Sequence, residues 1–256
     1  MTHPDRTSDI ARAHALLAEL PARDYKDRTE DPDDPSTVQA MQMAINLPKA
    51  DPPARNAVLV DAARAVLAVC LDPRASQDGF WRDGLAGWYS HRIRKVARRA
   101  RNKAWDDVQT LPGATVGAVR AFVPSPVSDV PHEIAKLQIK GTEIEAGEEL
   151  TLVDAHPTIL INASLGMSAG KAAAQVGHAS MLYAAALPLD AVQAWAREGF
   201  ALNVREVPAD AFNALVDAPG AAAVRDAGFT EVAPGSITAL TLPPECNAEL
   251  YRLTKR

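Results

Sequence analysis

The sequence predicts an α/β protein: a C-terminal three-layer α/β/α domain with a small mixed four-stranded sheet, preceded by a mostly helical α/β N-terminal domain. Two observations point there. From residue 158 to residue 242, short apolar runs alternate with longer segments of helical period, the order that builds a sheet covered on both faces. The stretch "GTEIEAGEELTLVDAHP" is acidic and glycine-punctuated, which places a domain boundary between two halves of similar length.

The elements follow in order. Residues 1–35 form a flexible charged arm with a short helix around Ile10–Leu20, then the proline-punctuated run "RDYKDRTEDPDDPS". In "TVQAMQMAIN", Met41, Met43 and Ile45 alternate on one side, as in a strand. "DPPARNAVLVDAARAVLAVCL" reads as a helix with prolines at its start, ending before Asp72–Pro73. A second helical region spans about Phe80 to Val108, "TVGAVRAFVP" is a strand, and "VPHEIAKLQ" a short helix, within an N-terminal domain over 36–150. The second domain, 151–246, reads as strand 158–163, helices 168–186 and 190–198, strand 200–205, helix 208–216, and strands 221–225 and 236–242. Residues 247–256 are a C-terminal tail. The N-terminal half also opens strand, helix, helix, an order compatible with a decayed copy of the second half.

Composition narrows the function. With 47% hydrophobic residues the chain can bury a sizeable core, and no apolar run reaches the 18 or more residues that a membrane span needs. The first residues, "MTHPDRTSDIARAH", hold no apolar signal-peptide core. Cys70 and Cys246 match no metal-ligand spacing and fit best as reduced thiols of a cytoplasmic protein, with a bridge between them as the alternative. A net charge of −5 argues against a surface that is basic all over.

"LGMSAGKAAAQVGHA", Leu165 to Ala179, looks like a phosphate loop, but Gly166 and Gly170 stand one residue too close, and Ala172 replaces the hydroxyl that would hold magnesium. What remains is a lysine in the first turn of a helix, where free amides and the macrodipole already favour an anion. Lys171, Gln175 and His178 recur at helical spacing on one face, with Ala172, Val176, Ala179 and Tyr183 turned to the sheet. Such a stripe suits a phosphate or a developing oxyanion. It equally describes the exposed polar face of an amphipathic helix.

"GMSAGKAAAQVGHA" resembles the signature helix of the type II peptidyl-tRNA hydrolases, and "VRDAGFTEVAPGSITALTLPP", Val224 to Pro244, resembles that family's closing strand, loop and strand. The resemblance covers about 158–244. It implies hydrolysis of the ester between a peptide, or an N-blocked amino acid, and tRNA, with no metal and no organic cofactor. It implies a catalytic set of Lys171, Gln175, His178, Asp226 and Thr230, with Gly170 and Ser236 lining the substrate. Lys171 is then the electrostatic stabiliser, Asp226 pairs with it or orients water, and Gln175 and Thr230 position that water. His178 moves protons or holds the helix. The chain departs from the family pattern at Asn162 and Ser164, where Arg-x-Asp is usual, at Ala169 for a lysine, and at Phe229 and Glu231 for Arg and Gln. A hydrolase domain that has lost catalysis and only binds tRNA or another RNA is the alternative.

The other cationic feature is "WYSHRIRKVARRARNKAW", read as a basic helix over 88–108. Tyr89, Ile93, Val96, Ala97, Ala100, Ala104 and Val108 fall at helical spacing, while Arg92, Arg94, Lys95, Arg98, Arg99, Arg101 and Lys103 cover the rest with no acidic residue between Asp83 and Asp106. A one-sign face costs stability through repulsion, which suggests a polyanionic partner, the tRNA backbone. Pairing with the acidic residues of 27–34 or 143–149 is the structural alternative. The expected partner is therefore tRNA, with its acceptor end at the C-terminal domain, no membrane, and room for a homodimer.

Overall fold

The computed structural model describes residues 10–20, 30–31, 33–144, 150–228 and 231–254. Its elements are α1 (Ala11–Ala18), β1 (Gln39–Asn46), α2 (Arg55–Cys70), α3 (Phe80–Tyr89), β2 (Arg94–Ala100), α4 (Lys103–Val108), β3 (Gly113–Val116), β4 (Val119–Phe122), β5 (Ser125–Pro126), α5 (His132–Ala135), β6 (Thr158–Asn162), α6 (Ala169–Ala186), α7 (Leu189–Arg197), β7 (Asn203–Val207), α8 (Ala209–Leu215), β8 (Ala222–Arg225), β9 (Ile237–Leu242) and α9 (Asn247–Thr254).

The strands form two sheets, one ordered β2-β1-β4-β3 with β5 also on β1, the other four-stranded and ordered β7-β6-β9-β8. In each sheet the first strand pairs parallel with the strand after the helical crossover and antiparallel with a later strand, β4 or β9, which pairs antiparallel with the strand before it. The two halves thus share one topology. Helix α2 lies on the first sheet, α6 on the second, and the two helices pack on each other.

Strand alternation explains the layers. On β1, Met41, Met43 and Ile45 face the helices, while Ala44 points to the other side, towards Val108 of α4 and Ile134 of α5. On β6, Ile159 and Ile161 face α6, and Leu160 meets Phe212 of α8 and Leu250 of α9. One continuous hydrophobic core joins Met43 and Leu59 to Val176 and Ile159. Burying small residues at this seam lets the two helices approach closely, and α6 holds Ala172, Ala173, Gly177, Ala179 and Ser180 fully buried or nearly so.

Three expectations need correction. The basic run is not one helix over 88–108: it splits into the end of α3, strand β2 and helix α4. Arginine, lysine and alanine favour helices intrinsically, but pairing of Ala40–Asn46 with Arg94–Ala100 overrides that preference. The strand expected at "TVGAVRAFVP" is the hairpin β3–β4, turning at Gly117 and Ala118. Residues 247–254 are helix α9 and no loose tail, because Leu250 is buried and the Asn247 side chain bonds to Thr158 and to the carbonyls of Asp154 and His156. Much of the charged arm, 1–9, 21–29 and 32, lies outside the described residues, as do 145–149 in the acidic stretch. Among the described residues no helix is long and apolar enough to cross a membrane.

Candidate active site

The site grows from the entry to α6. After β6, the Asn162 side chain accepts from Ser164 N at 3.1 Å, and Gly166 takes the left-handed conformation that turns the chain into the helix. Ser168 caps α6, its hydroxyl accepting from Lys171 N at 3.2 Å. Glu231 then accepts from both Ser168 N and Ser168 Oγ at 2.7 Å, so a carboxylate sits at the positive end of the helix. Two departures from the family pattern therefore have structural work here: Glu231 ties the 226–236 loop to the α6 cap, and Ser164 Oγ accepts from Ala209 N at the start of α8.

Lys171 projects from this first turn to Asp226, with Nζ and Oδ2 at 2.6 Å and side chains only 12% and 10% exposed. Gln175, one turn on, donates from Nε2 to the same oxygen at 2.8 Å. Its own Oε1 accepts from the buried Thr238 hydroxyl at 2.6 Å, which fixes the amide's orientation. The other Asp226 oxygen accepts from Gly228 N at 2.8 Å. Backbone bonds hold the neck of the loop, Asp226 N to Ser236 O at 2.9 Å and Gly235 N to Asp226 O at 2.7 Å. Gly228 has a positive φ of +79°, and a Cβ there would lie 2.5 Å from Pro234, so the turn beneath Asp226 requires glycine.

Burial works to raise the Asp226 carboxyl, but the Lys171 ammonium, the Gly228 N–H and the Gln175 amide outweigh it and hold the carboxyl below its ordinary range. The aspartate is therefore ionised at neutral pH, in an ion pair at a helix N-terminus.

The predicted residues sort as follows. Lys171, Gln175 and Asp226 meet in one network. Gln175 shares Asp226 with Lys171 but is 6% exposed and also turned to Thr238 of β9, so it does not belong to an exposed polar face, while Lys171 and His178 are partly buried. The offset of about 100° per residue separates 175 from the 171–178 line enough for the sheet to claim it. His178 stands seven residues beyond Lys171 along α6. Ser236 contributes its backbone to the loop neck, and Thr230 lies outside the described residues. Gly170 is accounted for by packing, since a Cβ there would lie 2.7 Å from Thr142 Oγ1 of the preceding segment. Thr238 was missed, although a polar residue among the alternating apolar residues of β9 was a usable signal.

The cations of 92–103 have intramolecular partners. Glu30 takes Arg94 at 2.6 Å and the Arg92 amide at 3.0 Å. Arg98 donates to Gln42 and to Leu137 O, Arg99 to Gln138 and Gly141 O, Arg101 to Leu47 O, and Lys103 to Asp107. Lys95 reaches inward to 5.1 Å from the Trp88 ring, where burial pulls its amine down to about 7. Strand β2 lies at the edge of its sheet, where basic residues also discourage pairing with other chains. Among the described residues no three His, Cys, Asp or Glu side chains converge as metal ligands.

Comparison with known proteins converges on the same half of the chain. The family model for peptidyl-tRNA hydrolase PTH2 matches residues 156–256. A peptidyl-tRNA hydrolase of Methanococcus maripaludis is 35% identical over 106 residues, covering 38% of this chain and 91% of the relative. Those of Methanocaldococcus jannaschii and Methanopyrus kandleri are 33% and 36% identical, with 91% and 90% of each relative covered and 38% of this chain. No solved structure matches the chain. Nearly the whole length of these relatives lies within the region that carries Lys171, Gln175 and Asp226, so the chain belongs to the PTH2 peptidyl-tRNA hydrolase family through its C-terminal region.

Proposed function

We propose that the chain hydrolyses the ester between a peptide, or an N-blocked amino acid, and the terminal ribose of tRNA, releasing tRNA for reuse in the cytoplasm. The observation that carries this reading is the Lys171–Asp226–Gln175 network at the N-terminus of α6, in the region shared with the relatives.

Ester hydrolysis passes through a tetrahedral intermediate whose oxygen becomes negative. Lys171 supplies fixed positive charge for that oxygen, in a setting drier than bulk water. Asp226, ionised and held by three donors, accepts a hydrogen bond from the attacking water and turns the water's lone pair to the carbonyl. Gln175, locked by Thr238, keeps that carboxylate from rotating. The acceptor end of tRNA docks at this end of α6. The arginines of β2 are not assigned the phosphate backbone, because protein groups already engage them.

The test is release of an N-blocked amino acid from tRNA by wild type, Lys171→Ala and Asp226→Asn. Turnover by wild type, lost in both variants, supports the proposal. Binding of tRNA without turnover would favour an RNA-binding role instead.

A further inference from the structure

The shared topology of the two halves extends to residue level. Take the N-caps of the central helices, Ala54 and Ser168, as equivalent. Ala63 and Gly177 are then counterparts, as are Val66 and Ser180. A Cβ on Gly177 would lie 2.7 Å from Val66 Cγ2, and Ser180 Oγ donates to Ala63 O at 3.1 Å. Each contact is the other with its partners exchanged, which is the signature of a twofold interface between like surfaces. Both first strands end in Ile-Asn, Ile45–Asn46 and Ile161–Asn162, where the parallel pairing also ends.

The N-terminal counterpart of the site is closed. Lys171 corresponds to Ala57 and Gln175 to Asp61 under the same alignment. The loop 226–236, which carries Asp226, is replaced by the turn Gly117–Ala118. Asp61 Oδ2 accepts from Ala118 N at 2.8 Å, so the carboxylate is committed to that turn.

Arg55 of this half is bonded to the residue that precedes the cap of the active helix. Arg55, the first residue of α2 and 8% exposed, donates from Nε and Nη2 to the two oxygens of Glu206 at 2.8 and 2.9 Å, and from Nη2 to Met167 O at 2.9 Å. Met167 directly precedes the cap of α6, and Glu206 belongs to β7 of the second sheet. A planar guanidinium holding a carboxylate in bidentate fashion fixes direction as well as distance. The loop that delivers Lys171 is thereby tied to a helix of the other half.

We propose that the N-terminal half is a second copy of the hydrolase fold, kept as a fixed partner, and that Arg55 is its positioning residue, holding the Met167–Ser168 entry so that Lys171 stays on Asp226. The catalytic consequence rests on the hydrolase reading; the placement of Lys171 does not.

The experiment compares wild type, Arg55→Met and Arg55→Lys as full chains. It measures kcat and KM on N-blocked aminoacyl-tRNA, and the rate at which acetic anhydride labels Lys171, read by mass spectrometry with the exposed Lys49 and Lys140 as internal standards. In Arg55→Met, kcat falls about tenfold with KM little changed, because misplacement of a reacting group acts on the chemical step. Lys171 labels several-fold faster while Lys49 and Lys140 do not change, and Arg55→Lys, which keeps the charge and one donor, lies between. Unchanged labelling of Lys171 overturns the proposal, whether or not kcat falls. So does faster labelling with wild-type kcat. If Arg55→Met does not fold, Arg55→Lys decides on the same two readouts. If wild type shows no turnover, the hydrolase reading fails, and labelling alone upholds or overturns the positioning role.

Discussion

Lys171 and Asp226 come from two connections far apart in the chain, one from the first turn of α6 after β6 and one from the loop between β8 and β9, yet their charged atoms lie 2.6 Å apart. Neither side chain is free to solvent, and both are braced, Lys171 by a capped helix and Asp226 by backbone bonds at the loop neck. Preorganised charge of this kind needs no reorientation during reaction, which is why it serves a developing oxyanion better than water does.

The pH dependence of stability follows from the depressed Asp226 carboxyl. A carboxylate whose folded pKa is below its unfolded value stabilises the fold fully above the unfolded pKa, near 4, and loses that contribution as pH falls through the folded value. The stability difference between wild type and Asp226→Asn is therefore constant from about pH 5 to 8 and shrinks below about pH 4. Urea midpoints across that range measure it. In Lys171→Met the main lowering interaction is gone while burial remains, so the acid limb moves to higher pH. An acid limb at the same pH in that variant would refute the assignment.

Thr238→Val removes one hydroxyl with little change of shape. The buried Gln175 Oε1 then loses its donor, at a cost of about 1–3 kcal/mol. The good strand propensity of valine offsets little of this at a fully buried site. With the amide no longer locked, its oxygen can swing towards Asp226, and kcat falls by about threefold to tenfold. A lower urea midpoint at unchanged m-value, together with the kinetic loss, is the expected pair of results.

How much of this was legible depends on where local and tertiary preferences agree. In the C-terminal half they do: Ser168 as cap, the small residues of α6 and the apolar runs of β6 and β9 all specify the observed elements. Lys171 and Asp226 could be paired through their motifs, though not the turn of Gln175 towards Thr238, which depends on how α6 is rotated on the sheet. In the N-terminal half, Arg94–Ala100 has helix-forming residues but a partner strand, and pairing prevailed. The β3–β4 hairpin folds back at Gly117–Ala118, where Val116 pairs with Val119, and the glycine was the available cue. The Arg55–Glu206 contact joins residues 151 apart in sequence and has no local signature.

The charge run also supports a stability prediction. Arg98 donates to Gln42 and to Leu137 O, and Arg99 to Gln138 and Gly141 O. Glutamate cannot donate to those carbonyls and places negative charge beside them. Arg98→Glu is therefore expected to destabilise the fold by about 2–3 kcal/mol, the scale of lost charge-assisted bonds. Thermal unfolding reads this directly. A variant as stable as wild type but weak in tRNA binding would restore the view of this run as a nucleic-acid contact.

Gly170 tests how closely the two halves meet beside Lys171. A methyl group there would stand 2.7 Å from Thr142 Oγ1 and 3.3 Å from Thr142 Cβ, and Thr142 is itself buried. Alanine is the better helix former by up to about 1 kcal/mol, so propensity alone predicts a more stable protein. Overpacking costs about 1–3 kcal/mol and acts in the opposite direction. Since the clash is with a buried side chain that has little room to move, Gly170→Ala is expected to lower the denaturation midpoint. In a Thr142→Ala background the nearest atom is gone, and the same substitution is then expected to cost less. The four chains form a double-mutant cycle whose coupling energy must differ from zero if the contact sets the cost. Additive effects would show that the glycine at this turn is not held there by the approach of the N-terminal half.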